Sequence, residues 1–76
     1  MSRLNLTFDQ IRKILEAEGF KCIRHDGTSH RRYRGEVGGH VRFVDLAPHK
    51  WSEVAGPAMV SLICRQSGLP KSRFRN

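Results

Sequence analysis

The sequence has no long hydrophobic run, and it contains only two cysteines among 76 residues. No apolar stretch approaches the roughly 20 residues needed to span a bilayer. Met1–Thr7 also lacks the apolar core of a signal peptide. We therefore expect a cytoplasmic protein that does not enter a membrane. In that compartment Cys22 and Cys64, which lie far apart in the chain, are expected to be reduced and buried.

Acidic residues are scarce, and this argues against a metal-dependent enzyme. Beyond residue 20 the carboxylates stand singly, at Asp26, Glu36, Asp45 and Glu53. Two-metal phosphoryl chemistry uses clustered carboxylates instead. Cys22 and His25 have the spacing of one half of a zinc motif, but a second paired ligand motif is missing. We predict no metal and no other cofactor.

Length and charge favour a protein that binds a polymer. We treat residues 1–76 as one domain with a small core, which leaves little room for a deep substrate pocket. The 14 Lys and Arg residues outnumber the 7 Asp and Glu residues. The first 20 residues are balanced, so residues 21–76 carry the whole net charge of +7. A basic domain of this kind suggests a polyanionic partner, most simply nucleic acid.

Apolar periodicity and capping residues predict two helices. Thr7 opens a capping box before an amphipathic helix over residues 8–18, and Gly19 ends it. A second helix begins at Pro57, which suits a first helical position, and is capped by Gly68. The predicted helical core consists of Phe8, Ile11, Ile14, Leu62 and Ile63.

Three strands are predicted between the helices, at residues 20–25, 29–34 and 40–46. Asp26-Gly27 marks the turn between the first two strands, and Gly35 with Gly38-Gly39 marks the next turn. Such short connections make neighbouring strands antiparallel. Two helices on one face can cover a three-stranded sheet. The sequence therefore predicts an α+β fold in α-β-β-β-α order, similar to a double-stranded-RNA-binding domain.

The loop and the tail that flank the second helix each contain an aromatic residue. Residues 47–56 are predicted to be a loop containing Trp51. This side chain is either an anchor for a protein partner or a cover for the edge of the core, and the sequence does not choose. The basic tail contains Phe74, which is available to pack against the body.

Residues 27–34, Gly-Thr-Ser-His-Arg-Arg-Tyr-Arg, concentrate the side chains that could act on RNA. Because side chains alternate along a strand, His30 shares one side with Arg32 and Arg34. Tyr33 points to the other side and is suited to burial, so the His30 row is predicted to face solvent. The candidate RNA-binding residues are arginines from all three strands: Arg24, Arg31, Arg32, Arg34 and Arg42.

A histidine among arginines has the parts needed for RNA cleavage. The 2′-hydroxyl attacks its own phosphate once a base removes its proton, and a positioned histidine contributes about 10²–10⁴-fold to such a step. Arginines stabilise the dianionic phosphorane, and we predict that Arg32 and Arg34 hold the scissile phosphate. We predict His30 as the general base or acid. The sequence leaves open which residue protonates the leaving group, with candidates at His25, His40 and His49.

The same residues fit other classes of protein. A basic strand with one incidental histidine would form an RNA-binding module without catalysis. A DNA-binding or structural protein is a third alternative.

The chain resembles HicA-type toxins, the small mRNA interferases of bacterial type II toxin–antitoxin pairs. The likeness runs from Thr7 to Phe74 and combines Gly27-Thr28-Ser29-His30 with Arg65-Gln66-Ser67-Gly68-Leu69 downstream. Further matching segments are Glu18-Gly19-Phe20, Arg32-Tyr33-Arg34, Val44-Asp45-Leu46 with His49, and Gly56-Pro57-Ala58-Met59.

This resemblance implies a double-stranded-RNA-binding-like fold, metal-independent cleavage of mRNA and a HicB-type antitoxin that masks the site. The functional histidine of the family corresponds to His30. The turn glycine corresponds to Gly27, which would let the backbone turn closely and aim the histidine. Ser29 and Tyr33 would support the strand at the site.

Overall fold

The computed structural model describes residues 6–26 and 30–74. Its elements are β1 (Leu6–Thr7), α1 (Phe8–Ala17), β2 (Lys21–Asp26), β3 (His30–Val37), β4 (His40–Leu46), β5 (Val54–Ala55), α2 (Pro57–Ser67) and a 3₁₀ turn (Lys71–Arg73). The strands β2, β3 and β4 form an antiparallel sheet in that order. The predicted α-β-β-β-α order and α+β fold class are confirmed. The predicted roles of Gly27 and Ser29 lie outside the described residues.

Helix α1 begins at the capping box that the sequence predicts. The Thr7 hydroxyl accepts a hydrogen bond from the Gln10 backbone N–H at 3.1 Å, and the Thr7 N–H donates to Gln10 Oε1 at 2.9 Å. These two bonds satisfy donors that a helix start otherwise leaves free. After the helix, Gly19 adopts a φ of 94°, a conformation that favours glycine. The chain then turns so that Phe20 is buried.

A second, two-stranded sheet joins β1 to β5, and the sequence does not predict it. Each strand has only two residues, too few to show a periodic pattern. Leu6 pairs with Ala55, and both are buried. The segment before β5 is tied to the start of α1 by two backbone bonds, Phe8 N–H to the Glu53 carbonyl at 3.0 Å and Asp9 N–H to the Trp51 carbonyl at 2.9 Å.

Both helices cover the same face of the three-stranded sheet, which we call the inner face. Tyr33 on β3 lies opposite Val44 on β4, and both are fully buried. The helices contribute Phe8, Ile11 and Leu15 from α1 and Val60 and Ile63 from α2. The other face of the sheet, the outer face, is left open to solvent.

Two predictions about buried side chains are wrong. Leu62 is 43 % exposed, because α2 faces the sheet through Val60 and Ile63 and turns Leu62 aside. Cys22 is exposed because it lies on an edge strand, whereas Cys64 is half-buried, and both thiols are free. Burial raises the pKa of the Cys64 thiol, with a smaller opposing effect from Lys71. The predicted docking of Phe74 is confirmed, since this ring is fully buried.

Gly35 is not part of a turn, contrary to the prediction. Strand β3 continues through it to Val37, and Gly38 and Gly39 make the turn with φ values of 62° and 80°. Gly35 is buried on the inner face, where a Cβ would lie 2.7 Å from the Phe20 ring. A glycine within a strand can mark such a close approach. Its role is to let Phe20 pack directly on the sheet.

Neither helix in the described part of the chain has the length and apolarity needed to traverse a bilayer.

Candidate nucleic-acid interface

The outer face carries a shallow pocket that gathers side chains from all three strands. Among the described residues it is lined by Arg24 of β2, His30 and Arg32 of β3, and Asp45 of β4, and its volume is about 160 Å³. The His30 side chain is exposed at this surface. An imidazole and two guanidinium groups therefore share one solvent-accessible depression.

A bulge in β2 brings Arg24 into this pocket. Cys22 lies opposite Tyr33, but the register then shifts, so that Arg24 lies opposite Arg32. A regular strand would place Ile23 opposite Arg32 and turn Arg24 towards the inner face. Bulges re-aim side chains in this way. The sequence does not show the pairing register of β2 with β3. It therefore predicts Arg24 as an RNA-binding residue but does not predict which face of the sheet this side chain lies on.

Arg32 stands at the centre of the pocket. Its Nη1 lies 3.7 Å from Asp45 Oδ2, and both side chains are 42 % exposed. Its guanidinium carbon also lies 4.5 Å from the centroid of the Phe43 ring. An exposed ion pair of this length contributes only about 0–1 kcal/mol. Arg32 is therefore held in place lightly and is free to exchange Asp45 for another anion.

Asp45 and Phe43 are residues of this surface that sequence reasoning did not select. In the sequence Asp45 stands alone, away from other acidic residues. The pairing of β3 with β4 nevertheless places Asp45 opposite Arg32 and Phe43 opposite Arg34. The alternation of β4 around the buried Val44 would have shown that both side chains face outwards.

The segment Arg65–Leu69 supports the sheet from behind. Gln66 Oε1 accepts a hydrogen bond from the Asp45 backbone N–H at 3.4 Å. The buried Ser67 hydroxyl accepts from the Leu69 N–H at 3.1 Å. Gly68 ends α2 with a φ of 73°. This motif therefore closes the helix and ties it to the strand that carries Asp45.

The other predicted arginines are divided between the two faces. Arg34 lies on the outer face beyond Arg32, in a second groove that also includes Lys21. Arg31 and Arg42 lie on the inner face. The Arg31 guanidinium carbon is 4.6 Å from the centroid of the Trp51 ring.

Arg42 lies against the end of α2. Its Nε is 3.0 Å from the point where a Cβ would stand if Gly68 carried a side chain. A cation at this position complements the negative end of the helix dipole.

Tyr33 and Trp51 form part of the inner-face packing. Tyr33 is fully buried, and burial raises its pKa, partly offset by the nearby Arg31 guanidinium. Its hydroxyl is buried without a hydrogen-bond partner among the described residues. Trp51 is half-buried and packs against the core. These contacts favour the interpretation that Trp51 covers the edge of the core.

The three other histidines occupy different places. His25 lies opposite Arg31 and shares the inner face with it. His40 pairs with Val37, at the opposite end of β3 from His30. His49 follows β4 at the end of the sheet where β3 begins, and its N–H donates to Glu53 Oε1 at 3.0 Å. Within residues 6–26 and 30–74, three or more His, Cys, Asp or Glu side chains do not come together in a group that could hold a metal ion.

Comparison with known proteins assigns the chain to a family. The model of the family described as the HicA toxin of bacterial toxin–antitoxin matches residues 8–69. The chain belongs to the HicA toxin family. The match extends from the start of α1 to Leu69 and includes His30 and the whole three-stranded sheet of this HicA toxin. No curated protein and no solved structure matched the chain. A toxin of such a system acts together with an antitoxin partner.

Proposed function

We propose that this HicA toxin is an endoribonuclease that cleaves mRNA in the cytoplasm without a metal ion. His30 would act as general base or acid, and no cofactor would be required. The observation that supports this proposal is the placement of His30 in one open pocket with Arg24 and Arg32. A base or acid and two phosphate-binding groups are what RNA cleavage by the neighbouring 2′-hydroxyl needs.

In the proposed reaction, the His30 imidazole removes the proton of the 2′-hydroxyl. The 2′-oxygen then forms a bond to the adjacent phosphorus, and the bond from phosphorus to the 5′-oxygen breaks. Since the leaving 5′-oxygen must gain a proton, an acid completes the step. The products are a 2′,3′-cyclic phosphate and a 5′-hydroxyl.

Arg24 and Arg32 are proposed to hold the scissile phosphate. A guanidinium binds phosphate through a planar fork of donors and stays charged at all physiological pH values. Arg32 would leave Asp45 for the phosphate at small cost, since that ion pair is exposed. Asp45 would then mark the place where Arg32 rests when RNA is absent.

Of the remaining arginines, we assign an RNA contact to Arg34, which continues the outer face beyond the pocket. Arg31 and Arg42 were candidates from the sequence, but both lie on the inner face. We propose that they act on stability, through Trp51 and the end of α2 respectively.

His49 is the best candidate for protonating the leaving group. His49 follows β4 at the end of the sheet where His30 lies. His25 is turned to the inner face, and His40 lies at the far end of the sheet. A HicB-type antitoxin is proposed to silence the toxin by covering the outer face.

The test compares the wild type with His30→Ala on single-stranded RNA in EDTA. We expect the wild type to cut and His30→Ala to lose cutting while it retains RNA binding. Binding without cutting by the wild type would show a non-catalytic RNA-binding module instead. Expression provides a second readout, in which the wild type is expected to halt growth and His30→Ala is not.

A further inference from the structure

Phe43 is a large aromatic side chain on the open face of a strongly basic sheet. It is 39 % exposed, although its neighbour Val44 is fully buried. It lies directly opposite Arg34, and the Arg32 guanidinium lies over its ring at 4.5 Å. The ring is therefore flanked by cations and not by other aromatic groups of the core.

Phe43 is also adjacent to the pocket that contains His30. Neighbouring strands are about 4.8 Å apart, and successive outward side chains on a strand are about 6.7 Å apart. Phe43 is one such step along β4 from Asp45, a pocket residue. Beyond Phe43 lies the groove with Lys21 and Arg34, which Glu18 and Glu36 also line. The outer face thus presents a cationic pocket, an aromatic ring and then the Arg34 guanidinium, on the residue that lies opposite Phe43.

We propose that Phe43 is a stacking platform for one base of a single-stranded RNA, and that this contact positions the neighbouring phosphate beside His30. The proposal rests on the function proposed above and adds a positioning residue to it. When RNA binds, a base takes the place of the Arg32 guanidinium over the ring, and Arg32 turns to the phosphate. An aromatic ring that alternates with phosphate-binding cations is the arrangement by which proteins hold single strands.

The same geometry selects single-stranded over duplex RNA. In a duplex the bases are stacked on one another and cannot reach a ring on a flat sheet. The exposed side of α1 offers a poorer surface to a duplex, because two cations and two carboxylates share it and its net charge is close to zero. Arg12 binds Asp9 at 2.6 Å and Glu16 at 3.1 Å, and Lys13 lies 3.4 Å from Asp9.

The experiment measures the equilibrium binding of a short single-stranded RNA whose 2′-hydroxyls are all methylated, so that it cannot be cut by this chemistry. Phe43→Leu removes the ring but keeps an apolar side chain, and Phe43→Trp enlarges the ring. Val41→Ala is the matched control, since Val41 is 45 % exposed on the same side of β4. Circular dichroism and thermal unfolding of each variant verify that the fold is retained.

We expect Phe43→Leu to weaken binding by about 5- to 150-fold, which is the range for one base stacked on one aromatic ring. Phe43→Trp is expected to bind at least as tightly as the wild type, and Val41→Ala to bind equally. An RNA in which every base is removed should bind the wild type and Phe43→Leu equally, because only a base can use the ring. Duplex RNA should bind more weakly than the single strand.

Equal affinity of Phe43→Leu and the wild type would overturn the proposal, as would tighter binding of duplex RNA or an absence of RNA binding. These outcomes can be distinguished from a failure of the proposed nuclease activity. If Phe43 controls binding but the wild type never cuts RNA, the stacking contact stands and the nuclease does not. If His30-dependent cutting is found with no effect of Phe43→Leu on binding, the nuclease stands and the stacking contact does not.

Discussion

The inner and outer faces of the three-stranded sheet use the same residue type for different purposes. On the outer face, Arg24 and Arg32 line an open pocket with His30. On the inner face, Arg31 lies over Trp51 and Arg42 lies against the end of α2. Arg31 and Arg32 are neighbours in the sequence, yet they face opposite ways. The side of the strand, and not the residue type or the total charge, therefore decides which arginines share the open pocket with His30.

The two faces also differ in how firmly their cations are held. The pair of Arg32 with Asp45 is exposed and long, so it stabilises the fold by little. On the inner face, Arg31 lies over the Trp51 ring, which packs against the core, and Arg42 lies against the end of α2. On the outer face, the Phe43 ring that Arg32 contacts is itself exposed.

The largest expected difference between the faces is in cleavage. His30→Gln is expected to slow RNA cleavage by about 10²–10⁴-fold, because it removes the proposed base. His25→Gln, on the same sheet but on the inner face, should leave the rate unchanged. Single-turnover cleavage of a labelled RNA measures both. An equal loss in the two variants would show that the outer face is not the catalytic one.

For stability, the larger effect is expected on the inner face. Gly35→Ala forces a Cβ to within 2.7 Å of the Phe20 ring, so we expect the free energy of unfolding to fall by about 1–3 kcal/mol. The matched control is Glu36→Ala, whose exposed side chain points outwards, and its effect should stay within about 0.5 kcal/mol. Urea unfolding measures both. A Gly35→Ala variant as stable as the wild type would mean that Phe20 is not packed against the strand.

The salt dependence of RNA binding separates the two groups of arginines. Arg32→Ala should reduce the slope of log affinity against log salt by about 0.7, the amount expected for one phosphate contact with a single strand. Arg42→Ala should leave that slope unchanged but lower the free energy of unfolding by about 0.3–1 kcal/mol, through the lost contact with the end of α2. If Arg42→Ala reduced the salt slope and Arg32→Ala did not, the RNA-binding arginines would lie on the inner face and not on the outer face.

The smallest expected effect concerns the buried hydroxyl of Tyr33. Burial raises the pKa of this group in the folded state. Its stabilising contribution is therefore full below the unfolded pKa, near 10, and is lost as the pH rises through the folded value. Tyr33→Phe should remove this alkaline loss and leave stability at pH 7 equal or slightly higher, since the hydroxyl has no hydrogen-bond partner among the described residues. Urea unfolding at pH 7 and at pH 11 tests this, and an unchanged alkaline loss would contradict it.

The strongest local signals in the sequence were reliable. The capping box at Thr7, the glycine cap at Gly68 and the alternation along β3 were each confirmed, because each depends on residues within a few positions of one another. This alternation explains both the burial of Tyr33 and the exposure of His30, which lies on the opposite side of β3. The resemblance to HicA toxins was confirmed by the family match.

Features that depend on pairing between distant segments could not be predicted from the sequence. The bulge in β2 decides whether Arg24 faces outwards, and no local pattern marks it. Gly35 has the residue type of a turn, but its role comes from Phe20, which packs on it from another part of the chain. The sheet of β1 with β5 was missed because two-residue strands carry no period. The predicted roles of Gly27 and Ser29 stay predictions.

The bulge in β2 at Ile23 affects how two molecules of this protein could associate. Strand β2 borders the sheet, and a straight border would offer a row of amide and carbonyl groups to the matching strand of a second molecule. The extra residue bends this border and breaks the even spacing of those groups. The same single residue that delivers Arg24 to the pocket therefore makes this border a poorer template for edge-to-edge pairing.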